Sequence, residues 1–155
     1  MKKVPFVSKE KVEEIVKTYP TPFHIYDEKG IRENAAAVKE AFSWNKGFKE
    51  YFAVKATPNP ALINILHEYG CGTDCSSVTE LMISKAMGID GEDIMFSSND
   101  TPASEFVYAD KIGAIINLDD FTHIDYLKKA LGGRLPKTLS CRYTCSVKAS
   151  HLAGL

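Results

Sequence analysis

Lys55 lies in Phe52-Ala-Val-Lys-Ala56, an otherwise apolar run with the residue types of a β-strand. By strand alternation it shares a face with Tyr51 and Ala53, while Phe52 and Val54 point the other way. An amine drawn out of water at the end of a strand is a nucleophile toward carbonyl carbon and forms a Schiff base. A strand-end lysine also snorkels to solvent with no chemistry at all. Spacing alone leaves both readings open.

The four cysteines fall in two C-x3-C pairs, Cys71/Cys75 and Cys141/Cys145. Zinc sites favour C-x2-C or C-x4-C on turns, whereas each pair here lies in a strand-like run. The expectation is therefore small buried apolar residues, with no metal site and no disulfide. Of the histidines, His24 falls in an early strand-like run, His67 near a helix end, His123 in a first helical turn and His151 in the tail. None has a partner at metal-ligand spacing, so surface or capping roles are expected.

These groups need elements to carry them, and the chain has a regular rhythm. Apolar, β-rich runs begin near Tyr51, Gly72, Asp93 and Ala114, each 21 residues after the last, and a fifth begins at Thr138, 24 residues further on. Leu62, Ile65, Leu66 and Tyr69 have helical spacing, with Gly70 at the C-cap position. Ser77-Val-Thr-Glu80 reads as a capping box for a helix through Leu81 and Ile83 that stops at Gly88. Thr101 reads as an N-cap with Pro102 at N1, for a helix running to Gly113. Asp120 reads as the cap of a helix through Ile124 and Leu127 that ends at Gly132-Gly133. Upstream, Ser8 caps a helix with Val12, Ile15, Val16 and Tyr19 on one face, and Pro20-Thr-Pro22 breaks the chain. Phe23-His-Ile-Tyr26 reads as a strand, and Ile31, Ala35, Val38 and Phe42 mark the next helix.

Strands alternating with helices at this spacing mean βαβ units and a parallel sheet. An open nucleotide-binding sheet usually carries a glycine-rich turn after its first strand. Here Thr57-Pro-Asn-Pro60 follows instead, which favours a (β/α)8 barrel. A full barrel takes ~250 residues and at least ~200, whereas the chain has 155. The expected fold class is thus α/β, part of a TIM-type barrel with about five βα units. In such a barrel Lys55, at the C-terminal end of its strand, is on the catalytic face.

The residues around Lys55 carry a family resemblance. Tyr51-Phe-Ala-Val-Lys-Ala-Thr-Pro-Asn-Pro60 resembles the cofactor-lysine motif of the alanine-racemase-like, or fold-type III, pyridoxal-phosphate enzymes. Thr21-Pro-Phe-His-Ile-Tyr-Asp27, Gly72-Thr-Asp-Cys-Ser-Ser-Val-Thr-Glu80, Ile94-Met-Phe-Ser-Ser-Asn99 and Ile116-Asn-Leu-Asp-Asp120 extend it in order. Between about Val4 and Tyr143 the chain is similar to the N-terminal part of the diaminopimelate decarboxylases of that superfamily. The resemblance implies pyridoxal 5′-phosphate as cofactor, with Lys55 as its Schiff-base lysine. It also implies a decarboxylase that converts meso-diaminopimelate to L-lysine and carbon dioxide, working as a homodimer on a small amino-acid substrate. Asp74 matches the family aspartate near the cofactor, where a carboxylate can orient the lysine; an ordinary strand-end cap is the alternative. Glu80 matches a family glutamate near the cofactor, although the capping box accounts for it without chemistry. Arg142, after Leu139-Ser-Cys141, matches an arginine that approaches the cofactor; as a bare sequence feature it is equally a strand-end surface residue. An ornithine- or arginine-type decarboxylase and a non-catalytic pyridoxal-phosphate-binding barrel are the alternatives.

The resemblance also divides the chain. Residues 1–30 carry a helix and a strand that in the family joins the second domain, residues 31–143 the partial cofactor-binding barrel, and residues 144–155 a tail unlike the family. After Tyr143 the family continues Asn-Pro-Gly-Gly, and this chain reads Thr144-Cys-Ser-Val-Lys. The expectation is a chain truncated before barrel closure, lacking the C-terminal β-domain and inactive alone.

Composition fits a soluble globular protein, an enzyme or a binding protein. Apolar residues make up 45% and charged residues 25%, with 19 Lys plus Arg against 20 Asp plus Glu and a net charge of -1. That balance gives no electrostatic grip on nucleic acid or anionic membrane. No run approaches the roughly 20 apolar residues of a membrane span, and Met1-Lys-Lys-Val-Pro-Phe has no apolar signal-peptide core behind it. A cytoplasmic location is expected.

Overall fold

The structure, a computed structural model, describes residues 4–143. The tail 144–155, with Cys145 and His151, lies outside the described residues.

Side-chain caps start most of the helices. α1 (Lys9–Val16) begins at Ser8, whose hydroxyl accepts from the Lys11 N–H, and α2 (Glu28–Ala41) begins at Asp27, whose carboxylate accepts from the Gly30 N–H. β1 (Tyr51–Ala53) is followed by a 3-10 turn (Val54–Ala56) and by α3 (Pro60–Glu68), which combines an Asn59 cap with proline at its first position. β2 (Gly72–Cys75) leads into α4 (Val78–Ala86), β3 (Ile94–Ser97) into α5 (Ala103–Lys111), and β4 (Ile115–Leu118) into α6 (Thr122–Ala130). β5 (Leu139–Cys141) is the last element. Gly70, at φ 91°, lets the chain leave α3 in the left-handed region that a side chain disfavours.

The strands form one parallel sheet in chain order, β1-β2-β3-β4-β5. This is the partial βα barrel expected from the 21-residue rhythm. Alternation sorts each strand into two faces. Thr73, Cys75, Ile94, Phe96, Ile116 and Leu118 are buried and pack with Ile63, Leu81, Phe106 and Leu127 from the surrounding helices. Phe106 meets Phe96 edge to face at 6.1 Å, which fixes α5 on the sheet. The opposite face, with Asp74, Met95, Ser97, Ile115 and Asn117, is half-buried.

Several local expectations are corrected. Phe23–Tyr26 forms no strand, because it has no ladder partner among the described residues. The strand expected over Tyr51–Ala56 pairs with β2 only as far as Ala53 and then tightens into the 3-10 turn. Pro102, not Thr101, is the N-cap residue of α5, and the buried Thr101 hydroxyl has no hydrogen-bond partner among the described residues. α6 opens at Thr122 with Phe121 rather than Asp120 at the N-cap position, yet the Asp120 carboxylate still accepts from the Thr122 N–H at 2.8 Å and its hydroxyl at 2.7 Å. Those bonds hold the Asp120 carboxyl below its usual range.

Candidate functional site

In parallel α/β folds the carboxyl ends of the strands form the working edge. Lys55 stands just past the end of β1, in the 3-10 turn rather than in the strand, and it is exposed. Of the two readings that spacing leaves open, this exposure fits the strand-end amine that reaches solvent rather than the desolvated one. Phe52 and Val54 are the flanking residues that pack into the core, while the turn swings Lys55 into solvent.

Asp74 lies on the neighbouring strand. It pairs with Ala53 across β1 and β2, and the turn that carries Lys55 packs on β2. Asp74 is half-buried on the face away from the helices, and its Oδ1 accepts the Ser97 hydroxyl proton from β3. Ser97 in turn sits opposite Asn117 of β4, and Asn117 opposite Ser140 of β5. The Ser140 hydroxyl donates to Asn117 Oδ1 at 2.8 Å. The same face thus carries a polar row, Asp74-Ser97-Asn117-Ser140, across four consecutive strands. Asp74 is the member the sequence singled out. The other three are found only by applying alternation to each strand, which marks them as the polar residues sharing the face of Asp74.

Arg142 follows β5 and is anchored through its N–H, which donates to the Leu118 carbonyl at 2.8 Å. Its guanidinium lies 3.5 Å from Asp119, just past β4, and is largely exposed. Arg142 is thus a strand-end residue already facing a carboxylate, not an arginine enclosed in a barrel core.

Glu80 is engaged elsewhere. One of its carboxylate oxygens accepts the Ser76 N–H at 2.9 Å and the other the Ser77 hydroxyl at 3.2 Å, while Ser77 caps the Glu80 N–H. This is the capping box, reaching one residue further back than its usual form.

Cys75 is buried against the Ser84 and Thr73 hydroxyls, and burial pushes its thiol up to about 11. Cys71 is half-buried and its thiol is also raised by burial; Cys141 is exposed. His67 Nδ1 meets the Cys71 carbonyl at 3.0 Å, a helix-end contact. A cleft of about 790 Å³ between α2, α3 and β1 is lined mainly by apolar side chains such as Ile31, Val38, Phe48 and Leu66; Lys55, Asp74 and Arg142 are not among them.

A parallel βα fold with an amine, a carboxylate and a guanidinium on its C-terminal edge belongs to the barrel class of enzymes. The particular family follows from comparison. Residues 28–154 match the pyridoxal-dependent decarboxylase, pyridoxal binding domain family, and the chain belongs to that family. Its members are lyases that use pyridoxal phosphate. The matched span includes most of the tail that the sequence motifs set apart.

Protein TabA of Pseudomonas amygdali pv. tabaci is 47% identical over 109 residues, which is 70% of this chain and 26% of that protein. Diaminopimelate decarboxylase of Thermoplasma acidophilum is 30% identical over 143 residues, 92% of this chain and 34% of the relative. A crystal structure of lysine decarboxylase from Selenomonas ruminantium superposes with a TM-score of 0.78 at 25% identity, covering 93% of this chain and 38% of that one. The chain spans about a quarter to a third of the length of these curated relatives.

The donor set fits the cofactor. An exposed primary amine suits an aldehyde, and a half-buried carboxylate among neutral hydroxyl and amide groups suits a cationic nitrogen.

Proposed function

We propose that this chain is the N-terminal part of a pyridoxal-phosphate-dependent decarboxylase that acts on meso-diaminopimelate, releasing L-lysine and carbon dioxide. The observation that carries the reading is the placement of Lys55 and Asp74 at the carboxyl ends of neighbouring strands: an accessible amine on the turn after β1, and a half-buried carboxylate on β2 whose register partner is Ala53. When bound, the cofactor supplies an electron sink for the pair left behind as carbon dioxide departs.

This chain's residues have separate tasks around it. Lys55 provides the amine that anchors the cofactor and a nitrogen, Nζ, that can carry a proton. Asp74 supplies the negative charge that orients that amine, and its half-burial strengthens the field it exerts. Arg142 offers a guanidinium to an anionic oxygen, in exchange for its contact with Asp119. Glu80 is left in the capping box and receives no role at the cofactor. In the overall reaction a carboxylate leaves as carbon dioxide and a proton takes its place on carbon.

The diaminopimelate assignment rests on the 30% identical Thermoplasma acidophilum relative, which matches 92% of this chain and 34% of that relative. The lysine decarboxylase likeness favours a second reading, in which the substrate is a diamino acid with one carboxylate. A cytoplasmic homodimer is part of the proposal. The test measures kcat/KM for meso-diaminopimelate, lysine, ornithine and arginine in the protein carrying this chain, with sedimentation to count subunits. A preference for diaminopimelate supports the assignment, and a preference for any of the other three overturns it.

A further inference from the structure

We infer that Ser97 is a positioning residue for Asp74: its hydroxyl holds one oxygen of the Asp74 carboxylate, leaving the other to face the cationic group that binds beside Lys55. The inference rests on the proposed role of Asp74 and goes beyond it, because nothing in the sequence motifs singles out Ser97.

Four observations lead to it. The Ser97 hydroxyl donates to Asp74 Oδ1 across neighbouring strands, so the contact joins β3 to β2 on the face away from the helices. A serine hydroxyl has a single proton to give, and the obvious competitor for it is the Asn117 amide oxygen, opposite Ser97 on β4. That oxygen accepts the Ser140 hydroxyl at 2.8 Å, while the Ser97 proton goes to the carboxylate. Finally, Asp74 forms no ion pair among the described residues, so no cation fixes its orientation in place of Ser97.

The charged surroundings agree. Lys55 lies on the turn packed against β2, and Glu80 reaches back from α4 but is tied to Ser76 and Ser77. Cys75 is next in sequence, buried on the opposite face of the strand. β3 brings no ionisable side chain to Asp74; it brings Met95 and Ser97. Asp93 sits at the far end of β2, against Gly72. Lys55 is therefore the basic residue that the turn after β1 brings to the strand of Asp74.

The experiment titrates pyridoxal phosphate into the protein carrying this chain, follows the visible absorbance of the loaded form, and traps it with borohydride for peptide mapping. It compares the unmodified protein with Ser97→Ala, Ser97→Thr, Asp74→Ala and the double variant Ser97→Ala/Asp74→Ala. A hydrogen bond to a charged group is worth enough that Ser97→Ala should weaken loading roughly tenfold. Ser97→Thr keeps the hydroxyl on a β-compatible residue and should restore loading to within about twofold. In the Asp74→Ala background Ser97→Ala should add nothing, because a residue that acts through another is silent without it. Additive losses, a threonine variant as weak as the alanine one, or loss of the folded circular-dichroism signal in both Ser97 variants would overturn the inference while leaving Lys55 untouched. Trapped label on another lysine in the unmodified protein would instead overturn the reading on which the inference rests.

Discussion

The Tyr51 ring occupies the space that a side chain on Gly72 would need. The two residues are register partners across β1 and β2, and a Cβ built on Gly72 would lie 2.8 Å from two ring carbons and closer still to the Asp93 carbonyl oxygen. Tyr51 is held there by its hydroxyl, which donates to the Glu92 carbonyl at 2.7 Å, and by Lys49 above its ring. Gly72 is thus enclosed by the Tyr51 ring and the Asp93 carbonyl at the start of the strand that carries Asp74. Gly72→Ala should destabilise the fold by about 1–3 kcal/mol, the usual cost of forced overpacking. Urea denaturation measures it, and an unchanged midpoint would show that the ring and the Asp93 carbonyl both give way freely.

Glu80 gives a second prediction, because its two proposed settings differ in outcome. As a capping residue it should cost stability when removed and leave the cofactor site alone. Glu80→Ala is expected to lower unfolding free energy by ~1 kcal/mol, within the range for lost helix caps, with cofactor loading of the protein unchanged. A tenfold fall in loading with no change in stability would return Glu80 to the cofactor.

Much of this arrangement was legible in the sequence. The strands begin within one residue of the expected 51, 72, 93, 114 and 138 positions, because each β-rich run is bounded by a turn or cap that acts locally. The Ser8 and Ser77 caps were readable for the same reason. What failed depends on distant partners. Phe23–Tyr26 has the composition of a strand but no neighbour to pair with among the described residues. The apolar run at Lys55 gives no sign of where the ladder ends, so its composition does not distinguish the exposed turn from strand. Ser97, Asn117 and Ser140 look unremarkable singly, and only the register between strands lines them up with Asp74.

The cysteines should separate by reactivity. Cys141 is exposed and Cys75 is fully buried, so at pH 8 iodoacetamide is expected to modify Cys141 and to reach Cys75 only after unfolding. The Cys75 thiol, pushed up to about 11 by burial, holds its proton more tightly in the folded chain than in the unfolded one. Its contribution to stability is therefore intact below the unfolded cysteine value and declines as pH rises through about 11. Cys75→Ala should flatten that alkaline decline relative to the unmodified chain. Parallel pH–stability curves for the two would contradict the burial of a neutral thiol.

Phe106 anchors α5 through edge-to-face contacts with Phe96, His123 and Tyr126 at 6.0 to 6.1 Å, and is 1% exposed. Phe106→Ala should cost about 3–5 kcal/mol, a large part of the ~5–15 kcal/mol that holds a domain together. Thermal and chemical denaturation would both register it. A loss under 1 kcal/mol would mean the helix is not anchored through this ring.

The role of Lys55 is the claim on which the rest of the account turns. The most direct measurement loads the protein carrying this chain with pyridoxal phosphate, reduces it with borohydride, and maps the modified peptide by mass spectrometry. The account predicts label on Lys55, and its loss without unfolding in Lys55→Ala. Label on another lysine, with Lys55 unmodified, would contradict it.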